Sequence, residues 1–131
     1  MRYLVIGLGK FGTALAKELS NMGNEVIAVD IKDKNIENIK NNVSAAYIMD
    51  TTDENVITAL PLSELDITVV AIGEDLAASL RTVVNLQQNG VSNIYARAFD
   101  HIHYSILNAI GNLKILTPEL DAAKICASAL K

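Results

Sequence analysis

The sequence predicts an α/β fold: a doubly wound, parallel, six-stranded sheet in the order 3-2-1-4-5-6, with helices on both faces. Three observations lead there. Short Val- and Ile-rich runs alternate with helix-periodic segments along the whole chain, with no linker between them. Most of those runs are apolar at successive positions rather than at every second one, the pattern of parallel strands covered on both sides. A glycine triplet, Gly7-Leu8-Gly9-Lys10-Phe11-Gly12, directly follows the first run, where a sheet of this kind begins its first helix. Right-handed crossovers then give the strand order.

The first strand is predicted over Arg2 to Ile6. Phe11, Ala14, Leu15, Glu18, Leu19 and Met22 follow at helical spacing, all but Glu18 apolar, and the helix ends at the stop signal Met22-Gly23-Asn24. Strand two covers Glu25 to Val29; a weaker, polar helix around Lys34 to Asn41 turns Ile36 and Ile39 inward. Strand three is Ala45 to Ile48. At Thr51-Thr52-Asp53-Glu54 a threonine hydroxyl is expected to cap the third helix and the glutamate to return the bond, with Pro61 marking its end. Strand four spans Ile67 to Ala71, and the helix from about Asp75 to Gln88 stops at Asn89-Gly90. Strand five is Asn93 to Ala96, and the helix from about Ile102 to Ile110 stops at Gly111. After strand six, Leu113 to Leu116, Pro118 opens the last helix, Glu119 to Leu130, in the first-turn position where proline costs least.

These elements use all 131 residues, so one domain, 1–131, is expected. Eleven Lys and Arg against 15 Asp and Glu leave a net charge of −4, which offers no general attraction for nucleic acid or anionic lipid. The single cysteine, Cys126, excludes an internal disulfide and a cysteine zinc cage, and suits a reducing, cytoplasmic setting. It reads as a small core or interface residue. No apolar run approaches the roughly 20 residues needed to span a bilayer, so any membrane role is expected to run through a partner.

The glycine triplet carries the chemistry. Gly7 allows a sharp turn, Gly9 lacks the Cβ that would keep a pyrophosphate from the backbone, and Gly12 lets the helix pack close to the sheet. The helix N-terminus then presents unpaired amides and partial positive charge to an anion, with Leu8, Lys10 and Phe11 completing the loop. This is a Rossmann-like fingerprint. Asp30 closes strand two, where a carboxylate accepts hydrogen bonds from an adenosine ribose and repels a 2′-phosphate. NAD(H) and ATP, ADP or AMP are therefore favoured over NADP, although Lys32, just beyond Ile31, speaks the other way.

A ligand in this fold lies across the carboxyl ends of the strands, at the switch point between the first and the fourth. After strand three, Asp50 and Thr51 are placed either to reach the adenine edge or to cap the next helix. Ile72-Gly73-Glu74 after strand four offers a glycine where backbone passes the ligand, or a simple turn. Arg97 ends strand five, where a guanidinium neutralises phosphate, clasps a neighbour's carboxylate or makes a plain surface ion pair. Lys10 points to solvent or to a phosphate across an interface. His101 and His103 read as surface or capping residues, and Glu119 as a first-turn dipole partner. No residue set makes a catalytic constellation.

Val5-Ile6-Gly7-Leu8-Gly9-Lys10-Phe11-Gly12, Val29-Asp30, Asp50-Thr51-Thr52-Asp53, Val70-Ala71-Ile72-Gly73, Ala96-Arg97-Ala98 and Thr117-Pro118-Glu119 together resemble the N-terminal nucleotide-binding domain of the Trk/Ktr potassium-transport regulators. This is the RCK, KTN or TrkA-N family, and the likeness covers essentially the whole chain. It implies a cytoplasmic subunit or domain, homo-oligomeric, assembled from dimers into a ring beneath an integral-membrane potassium channel or transporter and gating it according to bound ATP, ADP or NAD(H). It further implies phosphate binding at Gly7, Gly9 and Gly12, ribose binding at Asp30, and ligand-edge contacts at Asp50, Gly73 and Arg97. The residue matching Lys10 reaches a neighbour's nucleotide, and the glutamate matching Glu119 lies near a divalent cation. The family usually adds a small C-terminal ligand-binding domain, so a chain ending at Lys131 is expected to be a trimmed piece or a short member. The alternative is the cofactor domain of an NAD-dependent dehydrogenase, which would need a substrate domain and an acid-base group beyond these residues.

Overall fold

The computed structural model describes residues 1–131. Six strands, β1 (Arg2–Ile6), β2 (Glu25–Asp30), β3 (Ala45–Ile48), β4 (Ile67–Val70), β5 (Ile94–Arg97) and β6 (Lys114–Leu116), form one sheet in the order β3-β2-β1-β4-β5-β6. Every pairing is parallel, with Leu4 opposite Ile27 on one side of β1 and Thr68 on the other. The expected fold and order are found, with strand ends differing by a residue, the usual fraying of such boundaries.

Side chains alternate across the sheet, and both alternating sets are apolar because both faces are covered. Leu4, Ile6, Val29, Val70, Ile94 and Ala96 join one core with Ile57 of α3 (Glu54–Ile57), Val83 and Leu86 of α4 (Leu76–Gln88) and Leu107 of α5 (His101–Ile110). Val5, Val26, Ala28 and Val69 join the other with Ala16 of α1 (Lys10–Asn21) and Ile36 of α2 (Asp33–Glu37). Ile39 completes the expected inward pair with Ile36 from the turn after α2. Full burial of each Leu, Ile or Val removes apolar surface worth about 1.5–3 kcal/mol.

Three local readings need correction. The inward stripe of α1 buries Gly12 and Ala16 and half-buries Phe11, Leu15 and Leu19, whereas Ala14 and Met22 face solvent. The α3 cap is Asp53, which accepts the Asn55 amide at 2.9 Å, and neither threonine serves. Thr52 instead donates its hydroxyl to Asp50 Oδ1 at 2.6 Å, while the Thr51 hydroxyl is drawn into the core. A shorter helix results, followed by a 3₁₀ turn at Leu62–Glu64.

The expected stops at Gly23, Gly90 and Gly111 all take positive φ, and Pro118 occupies the first turn of α6 (Pro118–Leu130). That last helix stands apart. From Glu119 to Lys131 every residue is exposed, Cys126 included, so the cysteine has no place in the core of this chain. No helix is long and apolar enough to cross a membrane.

Candidate functional site

The turn from β1 into α1 is built by close approach. Gly7 has φ +92°, and a Cβ there would lie 2.7 Å from the Ile72 amide nitrogen. A Cβ on Gly12 would lie 1.8 Å from the Gly7 carbonyl oxygen, so only glycine lets the helix start this near the loop. Gly9 differs: a Cβ there would meet no atom within 4 Å, and the space lies open. Two glycines are therefore required by the fold itself, and the third is not.

The open space belongs to a cleft of about 550 Å³ at the carboxyl ends of the strands, within the usual 300–1,000 Å³ of small-molecule sites. Gly7, Leu8 and Gly9 form its floor, with Asp30, Ile31 and Lys32 on the β2 side. Asp50 and Thr51 line it after β3, and Ile72, Gly73 and Glu74 after β4. Eleven sequence-predicted site residues are thus brought together.

Four others are not cleft-lining. Lys10 is exposed on the first turn of α1, Phe11 is half-buried in the second core, and Gly12 acts through packing. Arg97 lies just outside, its Nη1 3.9 Å from where a Cβ on Gly73 would be, and its Nη2 donates to Glu119 Oε1. The ion pair lies within the chain; the guanidinium is mostly buried and its Nε has no partner. Arg97 holds the Glu119 carboxyl below the usual carboxylate range, chiefly through this hydrogen bond. Glu119 is thus held by Arg97 and stands outside any cluster of three or more His, Cys, Asp and Glu.

Asp30 makes two bonds of its own: it accepts the Leu8 amide at 2.6 Å on Oδ2 and the Lys32 amide at 2.8 Å on Oδ1. Asp50 is similarly engaged, accepting the Thr52 amide at 3.0 Å. Each Asp30 oxygen retains a lone pair for a ligand hydroxyl, whereas Asp50 Oδ1 is filled by the Thr52 amide and hydroxyl and only its Oδ2 stays open. The cleft residues Asn35, Met49, Thr52, Asp75 and Ala78 were missed as ligand-side positions. Met49, Thr52 and Asp75 flank predicted strand-end residues and were open to that reasoning, whereas Asn35 and Ala78 enter from helices whose orientation is tertiary.

His103 corrects a sequence expectation. His101 is exposed, but His103 is buried, with Nε2 2.8 Å from Ser79 Oγ and Nδ1 accepting the Phe99 amide at 3.2 Å. That acceptance fixes the neutral tautomer with its proton on Nε2, donated to Ser79. Burial lowers the His103 pKa, Asp100 opposes this and Arg97 adds to it. The α5 cap is Asp100, which accepts the His103 amide at 2.8 Å. The spacing of four residues to apolar Leu107 was the available signal that His103 points inward.

Over residues 3–118 the chain matches the TrkA-N domain family. The chain belongs to that family. This TrkA-N domain is 41% identical over 122 residues to Ktr system potassium uptake protein C of Bacillus subtilis (strain 168), covering 93% of the chain and 55% of that relative. It is 35% identical over 129 residues to Ktr system potassium uptake protein A of the same organism, covering 98% of the chain and 58% of the relative. The domain thus spans little more than half the length of these relatives. Among solved structures, "Shewanella denitrificans Kef CTD in AMP bound form" superposes with a TM-score of 0.73 at 20% identity, covering 99% of this chain and 80% of that one. "GsuK channel bound to NAD" superposes with a TM-score of 0.75 at 12% identity, covering 88% and 21%. At such identities the likeness is one of fold. Both Bacillus subtilis relatives carry the name of potassium uptake proteins and neither that of a dehydrogenase, which favours the first of the two readings that the sequence offers.

Proposed function

We propose that the cleft binds an adenine nucleotide, NAD(H) or ATP/ADP, and that its occupancy regulates an integral-membrane potassium transporter or channel from the cytoplasmic face. The observation that carries this reading is the open space at Gly9, where the N-terminus of α1 meets the cleft with no side chain in front of its backbone. Gly7, Leu8 and Gly9 would hold the phosphates and Asp30 the ribose hydroxyls. Asp50 and Thr51 would face the adenine, and Gly73 would let the ligand pass β4. The named ligands of the two structural neighbours, AMP and NAD, share the adenosine phosphate that this arrangement suits.

The Ktr relatives support a potassium-uptake partner. The reading includes homo-oligomerisation, with dimers forming a ring; what supports self-association is α6, where Leu120, Ile125 and Leu130 are 54%, 72% and 85% exposed, a poor arrangement for a helix left alone in water. Lys10, exposed, would be available to a neighbouring copy, whereas Glu119 would first have to share or leave Arg97. A ligand shifts the balance of two ring states only through its different affinity for them; a tenfold preference is worth about 1.4 kcal/mol per site.

The test is calorimetric titration of the chain with AMP, ADP, ATP, NAD and NADH side by side, with sedimentation analysis of the same samples. Binding of at least one adenine nucleotide in the micromolar range is expected. Absence of binding by all five at millimolar concentration removes the proposal.

A further inference from the structure

One face of α4 carries Ser79, Thr82 and Asn85, three polar residues spaced three apart on a helix that otherwise packs Val83 and Leu86 into the core. All three are buried. A buried polar group costs free energy unless it is bonded, and an apolar residue of the same shape would pack as well, so the bonds these side chains make explain what they do there. Ser79 meets His103 and thereby fixes α4 against α5. The other two reach in the opposite direction. Thr82 Oγ1 lies 2.8 Å from Thr51 Oγ1. Asn85 Nδ2 donates to the Thr51 carbonyl at 3.1 Å and to the Thr52 carbonyl at 2.9 Å. Thr51 and Thr52 are themselves cleft wall, and Thr52 in turn orients Asp50 through its amide and hydroxyl.

We infer that Thr82 and Asn85 are positioning residues for the nucleotide cleft: from outside it they hold the Asp50–Thr52 wall in the conformation that receives the adenosine end of the ligand. The inference rests on the nucleotide reading of the cleft. The loop after β3 has no strand pairing of its own beyond Met49, whose amide donates to the Asp30 carbonyl at 2.9 Å. Past that point, contact with α4 decides where the wall stands. The glycine loop, by contrast, is fixed by the Gly7–Ile72 approach and by Asp30, on the other side of the cleft. Loss of the α4 bonds should therefore act on the adenosine end and spare the phosphate end.

The test uses the full chain, titrated with ADP and separately with inorganic pyrophosphate, for the wild type and for Thr82→Val, Asn85→Leu and Thr82→Ser. Leu107→Val on α5 serves as a control that thins the core away from the cleft. Thr82→Val and Asn85→Leu are each expected to weaken ADP by about tenfold, Thr82→Ser by no more than about twofold, and pyrophosphate is expected to bind all four proteins alike. Leu107→Val should lower the melting temperature without changing ADP affinity. Equal ADP affinity in Thr82→Val, Asn85→Leu and wild type overturns the inference. So does a loss of ADP affinity in Leu107→Val matching theirs for the same fall in melting temperature, which would make the seam merely structural. A wild type that binds no ADP overturns the nucleotide reading itself and the inference with it, an outcome visible before any variant is made.

Discussion

Asp30 reaches from the end of β2 to accept the Leu8 amide at 2.6 Å, so the carboxylate proposed for a ribose also closes the glycine loop. With the Lys32 amide on its other oxygen, it joins two of the segments that face the cleft. Under the proposed function one side chain therefore serves folding and recognition together.

Replacing it should show both effects. Asp30→Ala is expected to cost about 1–2 kcal/mol of folding stability, read by urea unfolding, and about 1–3 kcal/mol of adenine-nucleotide affinity, read by calorimetry. Asp30→Asn keeps an acceptor for the Leu8 amide and should recover most of the stability while still binding nucleotide less well. Undiminished affinity in the alanine variant would remove Asp30 from the ligand site.

Gly9 and Gly12 should separate where sequence alone treats them alike. Gly12→Ala drives a Cβ to 1.8 Å from a backbone oxygen and is expected to destabilise the chain by at least about 1–3 kcal/mol, seen as a lower melting temperature. Gly9→Ala meets nothing and should cost less than about 1 kcal/mol as a poorer cap, yet under the proposed function it would stand in the nucleotide's path and should abolish binding. A Gly9→Ala protein that binds nucleotide normally would contradict phosphate contact at that position.

His103 predicts a pH dependence. Its pKa in the folded chain lies below the ordinary 6.5, mainly through burial, so the unfolded chain takes up its proton first as pH falls. Stability from this group is complete above 6.5 and declines on acidification until the lowered folded pKa is passed, where the loss levels off. Unfolding curves between pH 7.5 and 5.5 should show this slope, and His103→Gln should flatten it. Equal slopes in the two proteins would mean that the histidine is not held neutral.

Apart from the local Thr117–Asp121 bond at its cap, the Arg97–Glu119 pair is the one side-chain hydrogen bond joining α6 to the rest of the chain. Arg97→Met should therefore speed amide exchange in the first turns of α6, measured by mass spectrometry, and return the Glu119 pKa toward its ordinary value in an NMR titration. The sign is that of a depressed carboxyl: the pair contributes at neutral pH and its contribution is lost as pH falls through the lowered pKa. Unchanged exchange would show that α6 is held by something other than this pair.

The exposed apolar residues of α6 lead to a final expectation. Ile125→Lys, at a position already 72% exposed, should leave the unfolding free energy of the single chain within about 0.5 kcal/mol of wild type but shift sedimentation toward the monomer. A variant that self-associates as well as wild type would exclude α6 from the contact.

What the sequence determined is local. Six apolar runs set the strands, the positive-φ glycines at 23, 90 and 111 set the helix ends, and the glycine triplet with Asp30 set one side of the cleft. Each depends on neighbours a few residues away or on a single backbone conformation, so each leaves a periodic or punctuating mark. Tertiary structure alone decided the rest: Thr51 bonding Thr82 across 31 positions rather than capping α3, His103 turned inward to Ser79 across 24, and Arg97 paired with Glu119 across 22. A polar side chain in water has many equally good partners, and only the closing of the sheet and its helices removes the water and leaves each with one.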